Sequence, residues 1–434
     1  MQRIYNYIVI ALMLCCTNVW AQNKPEENLF KDSTSLSLNS AENIFLQNNF
    51  LLLAQKFNIE ASKALVIQAK LLPNPNFSYE RGPIIPLNDP NSNYTHSSFI
   101  SNSESAASIS QLILLAGKRN KQIKIAESNV QLAEYQFYDL IRTLKYTLRT
   151  DFFTIHFLLQ SSSVYNKEIT SLQQVVKAFN EQEGKGYISQ KEVVRVKALL
   201  YSLQSEYNDL INQINDTESE LRSVLQLNKT FIIPVVDENK FTTLSPSTFS
   251  FSLLLDTAYK NRTDLQVTRT NTQISRLNYN YQKALAVPDI TANISYDKQG
   301  SYAVNYNAAG IAIDLPFFNR NQGNIKSAKS MIDYNTAMQK SSEASVEEQI
   351  YRSLQKAYDN DKMFKNIDEK FSNDFDTLLN EVLINYQKRN LGLLDFLDFY
   401  DSYKQNTLQL NSIKSNRINA FEDINFYTGT NFFN

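Results

Sequence analysis

Glycine and proline are so scarce in this chain that their positions nearly draw its architecture. Nine glycines and ten prolines occur in 434 residues. Between Gly117 and Gly184 lie 66 residues with neither, and between Gly323 and Gly392 lie 68. Further free windows run from Glu26 to Leu72, Tyr187 to Ile233, Ser247 to Val287 and Leu393 to Thr428. Helix interiors reject these two residues most strongly, so six long free windows predict six long helices.

Periodicity agrees. Phe137, Ile141, Leu144, Leu148, Phe152, Ile155 and Leu159 recur at steps of four and three. Val193, Val196, Leu200, Leu203, Tyr207, Leu210 and Ile214 alternate steps of three and four. These are coiled-coil seams. A window of 66 residues at 1.5 Å each spans roughly 100 Å, far beyond a helix of an ordinary globular bundle.

Between the helical windows the period changes to two. Ile290, Ala292, Ile294 and Tyr296 alternate with Thr291, Asn293, Ser295 and Asp297, as in a strand with one apolar and one polar face. A second run ends in Ile311, Ile313 and Leu315. We expect strands at 289–297 and 303–317, and matching ones at 74–84 and 99–116 flanking the turn-rich stretch Arg81–His96. Their lengths are near the roughly 9–11 residues of a tilted membrane-crossing strand. Phe77, Tyr79, Tyr94, Phe99, Tyr302, Tyr306, Phe317 and Phe318 fall near their ends, where aromatic girdles sit.

Composition removes several function classes. With 43 Lys+Arg against 44 Asp+Glu there is no global electrostatic case for a nucleic-acid or polyanion binder. A mean hydropathy of −0.36 and the lack of a long apolar run after the N-terminus exclude a polytopic helical membrane protein. Cys15, Cys16, His96 and His156 are the only thiols and imidazoles, so a disulfide framework, a Cys/His zinc site and a thiol nucleophile are out of reach. No nucleophile–base–acid arrangement is apparent, and the chain does not read as an enzyme.

Met1–Ala21 reads as a secretory signal, with Arg3, the apolar centre Tyr7–Cys16 and a small-residue site Val19-Trp20-Ala21. A lipidation site at Cys15 or Cys16 is the competing reading, but Leu12-Met13-Leu14 lacks the small residues expected before it. The two halves then look duplicated. Lys70-Leu71-Leu72-Pro73 matches Leu285-Ala286-Val287-Pro288. Gly117 through Ile123 matches Asn319 through Ile325, and Tyr187 through Val193 matches Asn390 through Phe396. This gives a first repeat over 22–227, a linker at 228–250 and a second repeat over 251–434, each ordered helix, two strands, very long helix, helix. Stacked shorter helices would equal the long one in height. Four strands leave open edges that lipid does not tolerate. Three chains would close a twelve-stranded barrel; two or four would also close.

At Leu71-Leu72-Pro73-Asn74-Pro75, Gln111 through Arg119, and Leu315 through Gly323 the sequence resembles the TolC family of outer-membrane efflux channels, and more narrowly its CusC/CzcC-like heavy-metal branch. The resemblance covers essentially the whole mature chain. It implies an α+β membrane protein: a homotrimer whose twelve-stranded outer-membrane barrel, four strands per chain, continues as a coiled-coil helical tunnel across the periplasm. It also implies a periplasmic adaptor (membrane fusion) protein, an inner-membrane RND pump that couples the energy, and no cofactor. The strand–helix junctions are Gly117, Lys118 and Arg119, and Asn319, Arg320, Asn321, Gln322 and Gly323. Tyr386, Asp395 and Asp398 match the family's closed periplasmic aperture, with Glu192 in the place of the partner carboxylate; Leu391 stands where the family carries a linking arginine. In a trimer these acids become rings that favour cations. The same residues also suit a helix start, where carboxylates are favourable without any pore. The cargo is expected to be metal cations, with drugs or secreted polypeptide in the same fold as the alternative and a structural envelope coiled coil as the second. Met331 and Met338 read as packing rather than copper contacts, His156 as a seam residue, and no metal site is expected.

Overall fold

A computed structural model, describing residues 32–82, 104–299, 303–367, 378, 381–382, 384–386, 388 and 390–433, turns the first glycine-free window into one helix of 67 residues. In chain order the elements are β1 (Asp32–Ser37), α1 (Leu38–Asn48), α2 (Phe50–Lys70), β2 (Asn76–Gly82), β3 (Glu104–Ile113), α3 (Lys118–Gly184), α4 (Gln190–Leu225), β4 (Thr230–Val235), α5 (Phe251–Asn261), α6 (Thr263–Leu285), β5 (Ile290–Gln299), β6 (Val304–Ile313), α7 (Gln322–Lys365) and α8 (Leu393–Thr428). The signal-like segment 1–21, His96, Tyr94, Phe99 and Tyr302 lie outside the described residues.

At 1.5 Å per residue α3 is about 100 Å long. Its apolar stripe is what buries it. Leu148, Phe152 and Ile155 are wholly buried, with Phe137, Ile141, Leu144 and Leu159 packed on the same cluster. Farther down, Val196, Leu200 and Leu203 of α4 close on Leu172 and Val175 of α3. Both α2 and α4 lie along α3, while α6 and α8 lie along α7, and α3 also touches α6 and α8. Each long helix is thus lined by two shorter ones in series.

The series joints are polar keys. Asn49 breaks the helix between α1 and α2, and its carboxamide oxygen caps Leu51 N (2.9 Å) and Leu52 N (3.2 Å). Its amide donates 2.9 Å to the Val224 carbonyl at the end of α4, fixing the two shorter helices to each other. The break between α5 and α6 falls at Arg262, which reaches the Tyr427 carbonyl of α8, while Asn261 donates 2.7 Å to Thr430. There the chain comes so close that a Cβ on Gly429 (φ +68°) would stand 3.2 Å from the Asn261 carbonyl.

The sheet order is β2-β3-β5-β6, antiparallel throughout. Register puts Phe77, Ile109, Ile294 and Ala309 in one row, and Gln111, Ala292 and Ile311 in another on the same face. The opposite face carries Ser78, Ser108, Ser295 and Ala308. Ile294 (69%) and Ile311 (72%) are bare, so the apolar face has no partner among the described residues. A second, two-stranded sheet was not anticipated: β1 runs parallel to β4, from Asp32↔Thr230 to Ser37↔Val235, and belts the shaft. No helix of the described residues is long and apolar enough to cross a membrane.

Asn49→Ala should lower stability by about 2 kcal/mol, the sum expected for a lost cap and a lost buried hydrogen bond. Asn49→Asp, which keeps the cap but not the donor to Val224, should fall between. Thermal unfolding followed by circular dichroism measures both.

Candidate functional site

Two ends of the shaft carry the residues singled out above. At the end away from the sheet, α3 stops at Gly184 and the chain turns through Gly186, whose φ of +73° only glycine adopts freely, into α4. Ser189 is the N-cap of α4. The Glu192 carboxylate accepts the Ser189 backbone N–H at 3.0 Å and its hydroxyl at 3.2 Å, a capping box. Gly392 is the N-cap of α8, and Asp395 occupies the position matching Glu192 in its first turn. Asp395 and Asp398 are both exposed.

Tyr386 behaves differently. It is 8% exposed, stacked on Phe396 with ring centres 4.1 Å apart and planes at 9°, and tilted against Phe179 of α3. Its hydroxyl has no hydrogen-bond partner among the described residues. Burial, and then the Glu192 charge, push the phenol above its ordinary range. Tyr386, Glu192, Phe179 and Leu391 line one cleft of about 440 Å³ between the two helical hairpins. Tyr386 and Glu192 therefore come together, while the two aspartates stand outside that cleft on the rim.

Sequence reasoning missed a buried charge cluster some turns above this tip. Glu168 of α3 is 1% exposed, and its Oε1 has no partner among the described residues. Across it, Lys404 of α8 bridges Glu206 of α4 (2.9 Å) and Asp401 (3.1 Å), Tyr165 donates to Glu206, and the Tyr400 hydroxyl donates 3.0 Å to the Glu168 carbonyl. Burial lifts the Glu168 carboxyl to about 8, with Asp401 and Glu206 acting the same way and Lys404 opposing. The signal was legible: Tyr165, Leu172, Val175 and Phe179 continue a stripe on which Glu168 is the one acid.

At the other end, the junctions tie strands to helices. Gly117 (φ +66°) and Asn321 (φ +58°) both start their helices from the left-handed region. The helix start in the second half is therefore Asn321, two residues beyond the Gly117–Asn319 pairing read from the sequence. Lys118 is buried and places its Nζ 2.7 Å from Asp289 and 2.7 Å from the Val287 carbonyl, while Asp289 also accepts Leu115 N at 2.8 Å. This bridge clamps the start of α3 to the entry of β5. In the second junction Asn321 donates to the Gln282 carbonyl (2.8 Å), Asn319 accepts Asn321 N, and Gln322 accepts Arg320 N. A Cβ on Gly323 would meet open space, and the Arg119 Nε is buried without a partner among the described residues.

His156 departs from its expected seam role. Its Nε2 lies 3.2 Å from Glu238, which also accepts Gln160 and Lys414, so the imidazole anchors the belt after β4. The His156 contact, ahead of Gln160 and Lys414, holds the Glu238 carboxyl down at about 2. Met331 and Met338 are each 46% exposed. Among the described residues no cluster of three or more His, Cys, Asp or Glu is arranged to hold a metal.

Residues 43–225 match the family described as outer membrane efflux protein. Over those residues the chain is similar to that family. The family so described is one of outer-membrane channels, not of enzymes. No curated protein matches the chain. Among solved structures it is similar to the CmeC outer membrane channel of Campylobacter jejuni (14% identity, 91% of this chain and 86% of that one, TM-score 0.72). It is also similar to CusC (14%, 93% and 93%, 0.70) and to the open state of the MtrE outer membrane channel of Neisseria gonorrhoeae (16%, 93% and 95%, 0.68). At these identities the likeness is one of fold.

Because its hydroxyl is unpartnered, Tyr386→Phe should leave the melting temperature unchanged or raise it. Tyr386→Ala should cost about 3 kcal/mol, the loss of a stacked ring from a closed cluster. For Glu168, a folded pKa raised from 4.5 to about 8 means that the folded state holds the extra proton between those values, so stability falls as pH rises through that window. Glu168→Gln should abolish that fall, matching the parent at pH 4.5 and exceeding it at pH 8 in thermal unfolding.

Proposed function

We propose that this chain is the outer-membrane channel of a tripartite efflux system, a passive duct through which an inner-membrane pump of the RND type, joined by a periplasmic adaptor, discharges cargo. One observation carries this: a four-stranded sheet whose apolar face and two edges, β2 and β6, are unpartnered among the described residues stands on a helical shaft about 100 Å long. Lipid has no groups to pair those edges, so the sheet is complete only when copies join. Three copies make twelve strands, within the range of known barrels. The apolar face meets lipid, the serine- and alanine-lined face meets water, and the shaft extends into the periplasm.

The same element order in both halves, helix pair, two strands, long helix, shorter helix, supports an origin by internal duplication. For cargo, the rim supports metal cations. Asp395 and Asp398 are exposed at the far end of the shaft, free to face an aperture, and three copies would form stacked acidic rings there. Tyr386 acts from behind, its ring wedging α8 against α3 through Phe396 and Phe179 and setting where the two aspartates stand. Glu192 caps α4 beside it. Drug or polypeptide cargo would place no such demand on the sign of the rim. Susceptibility of a deletion strain to copper, silver, zinc, cobalt and cadmium, set against a drug panel, separates the cargo readings.

Purified full-length protein should run as a trimer and give stepwise conductance in planar bilayers; a monomer without conductance would end the channel reading. Asp395→Ala with Asp398→Ala should raise leak conductance and reduce cation preference, and unchanged selectivity in that double variant would remove the aspartates from the aperture.

A further inference from the structure

Charge is segregated along the shaft. The strand registers Asn76↔Ser110, Ile113↔Ile290 and Ile290↔Ile313 bring the four strand ends next to the helices into line. The helix ends that join them, in α2, α3, α6 and α7, therefore lie at one level. The ten residues of each helix nearest the sheet cover about 15 Å of axis. Those four segments hold Lys63 and Lys70, Lys118, Arg119, Lys121 and Lys124, Arg276 and Lys283, and Lys326 and Lys329, against the single acid Glu127. The collar has ten cations to one acid in a chain whose remaining residues carry 33 to 43.

Helix stability accounts for this only in part: α2 and α6 end at the collar, where Lys70 and Lys283 in their last turns are favourable, but α3 and α7 begin there. The N-terminal end of a helix favours acids and disfavours cations. At the far end of the shaft α4 and α8 follow that rule with Glu192 and Asp395 in their first turns, whereas α3 and α7, which start beneath the sheet, have no acid in theirs. Nor does pairing account for it. Among the described residues, only Lys63 (to Glu60) and Lys118 (to Asp289) of these ten meet a carboxylate within 4.0 Å. Seven of the ten are exposed.

Between α3 and α6 the collar forms a groove of about 430 Å³. Asn120, Lys121 and Lys124 line one wall and Leu277, Asn280 and Lys283 the other. Two amides and three ammonium groups above an apolar floor suit a phosphodiester with acyl carbons beside it. Lys121 already donates 2.6 Å to the Ala116 carbonyl, which leaves Lys124 and Lys283 as the exposed cations of the site.

We propose that this groove binds the phosphate headgroup of an anionic phospholipid in the periplasm-facing leaflet, and that the collar around it sets how deep the sheet sits. The inference rests on the reading that the sheet crosses the outer membrane. A cationic belt just outside the hydrocarbon attracts anionic headgroups additively, residue by residue.

The test uses full-length channel reconstituted in vesicles of phosphatidylcholine with or without phosphatidylglycerol, then extracted and examined by native mass spectrometry. Phosphatidylglycerol should be retained over phosphatidylcholine. Lys124→Gln with Lys283→Gln should lower that retention at least about tenfold, at roughly fivefold per cation. Lys191→Gln with Arg195→Gln, near the far end, should leave it unchanged. Equal retention of both lipids, or undiminished retention in the Lys124/Lys283 variant, would overturn the proposal. So would displacement of the lipid by inorganic phosphate at equal concentration, which would mark a free-anion site. Altered ion selectivity in that variant with retention intact would place the cations in the pore and also overturn it. Failure of the parent protein to insert in either vesicle would instead sink the membrane reading beneath it.

Discussion

Every backbone N–H and C=O that enters hydrocarbon has to find a partner within protein, because lipid offers none and each orphan costs several kcal/mol. That requirement governs this chain from the sheet downward. The strands β2, β3, β5 and β6 satisfy one another, but the outer edges of β2 and β6 have no partner among the described residues. Under the proposed closure by copies the rest follows. Strands that enter and leave at one level need helices that begin and end at one level. A bundle of equal height follows only if each long helix is matched by two shorter ones. The Asn49–Val224 and Asn261–Thr430 contacts are where that matching is made.

The helical part of this plan was legible because it depends on two robust signals. Glycine and proline cannot be hidden inside a 67-residue helix, and an apolar stripe at steps of three and four has to be buried; Phe152, Ile155, Val196 and Leu203 are. The strands were legible from alternation, most clearly in β5, where Ile290, Ala292, Ile294 and Tyr296 share one face. The β1–β4 belt was not. Its strands are six residues each, pair in parallel across nearly 200 positions and carry mixed sequences such as Asp32–Ser37, so no local period announces them. The helix breaks at Asn49 and Arg262 were invisible for the opposite reason: neither is glycine or proline, and both interrupt the helix through tertiary hydrogen bonds.

At the tip, residue type was readable and placement was not. Tyr386 and Glu192 do meet, yet as a stacked ring and a helix cap rather than as a hydrogen-bonded pair. An aromatic that closes a helix–helix gap and one that lines an aperture look identical in sequence; what separates them is Phe396 and Phe179, brought from two other helices. His156 shows the same limit. Its spacing fits the seam, but Glu238, far along the chain, turns the imidazole toward the belt.

Buried charge in the shaft obeys a different logic from the collar. Arg149 is 5% exposed and grips both oxygens of Glu422 at 2.6 Å with Glu42 beside them; Arg417, 2% exposed, spans Asp361 and the carbonyls of Phe241 and Leu244. Buried pairs of this kind are weak sources of net stability, because desolvation consumes most of the attraction. What they supply here is register. A coiled coil of apolar stripes can slide by a heptad and remain apolar, whereas a guanidinium that must meet one carboxylate and two carbonyls has a single solution. Arg149 fixes α8 along α3, and Arg417 fixes α8 along α7 and the belt. With both settings made, the height of the tip relative to the sheet is determined, which is the one dimension that the proposed duct would have to hold constant.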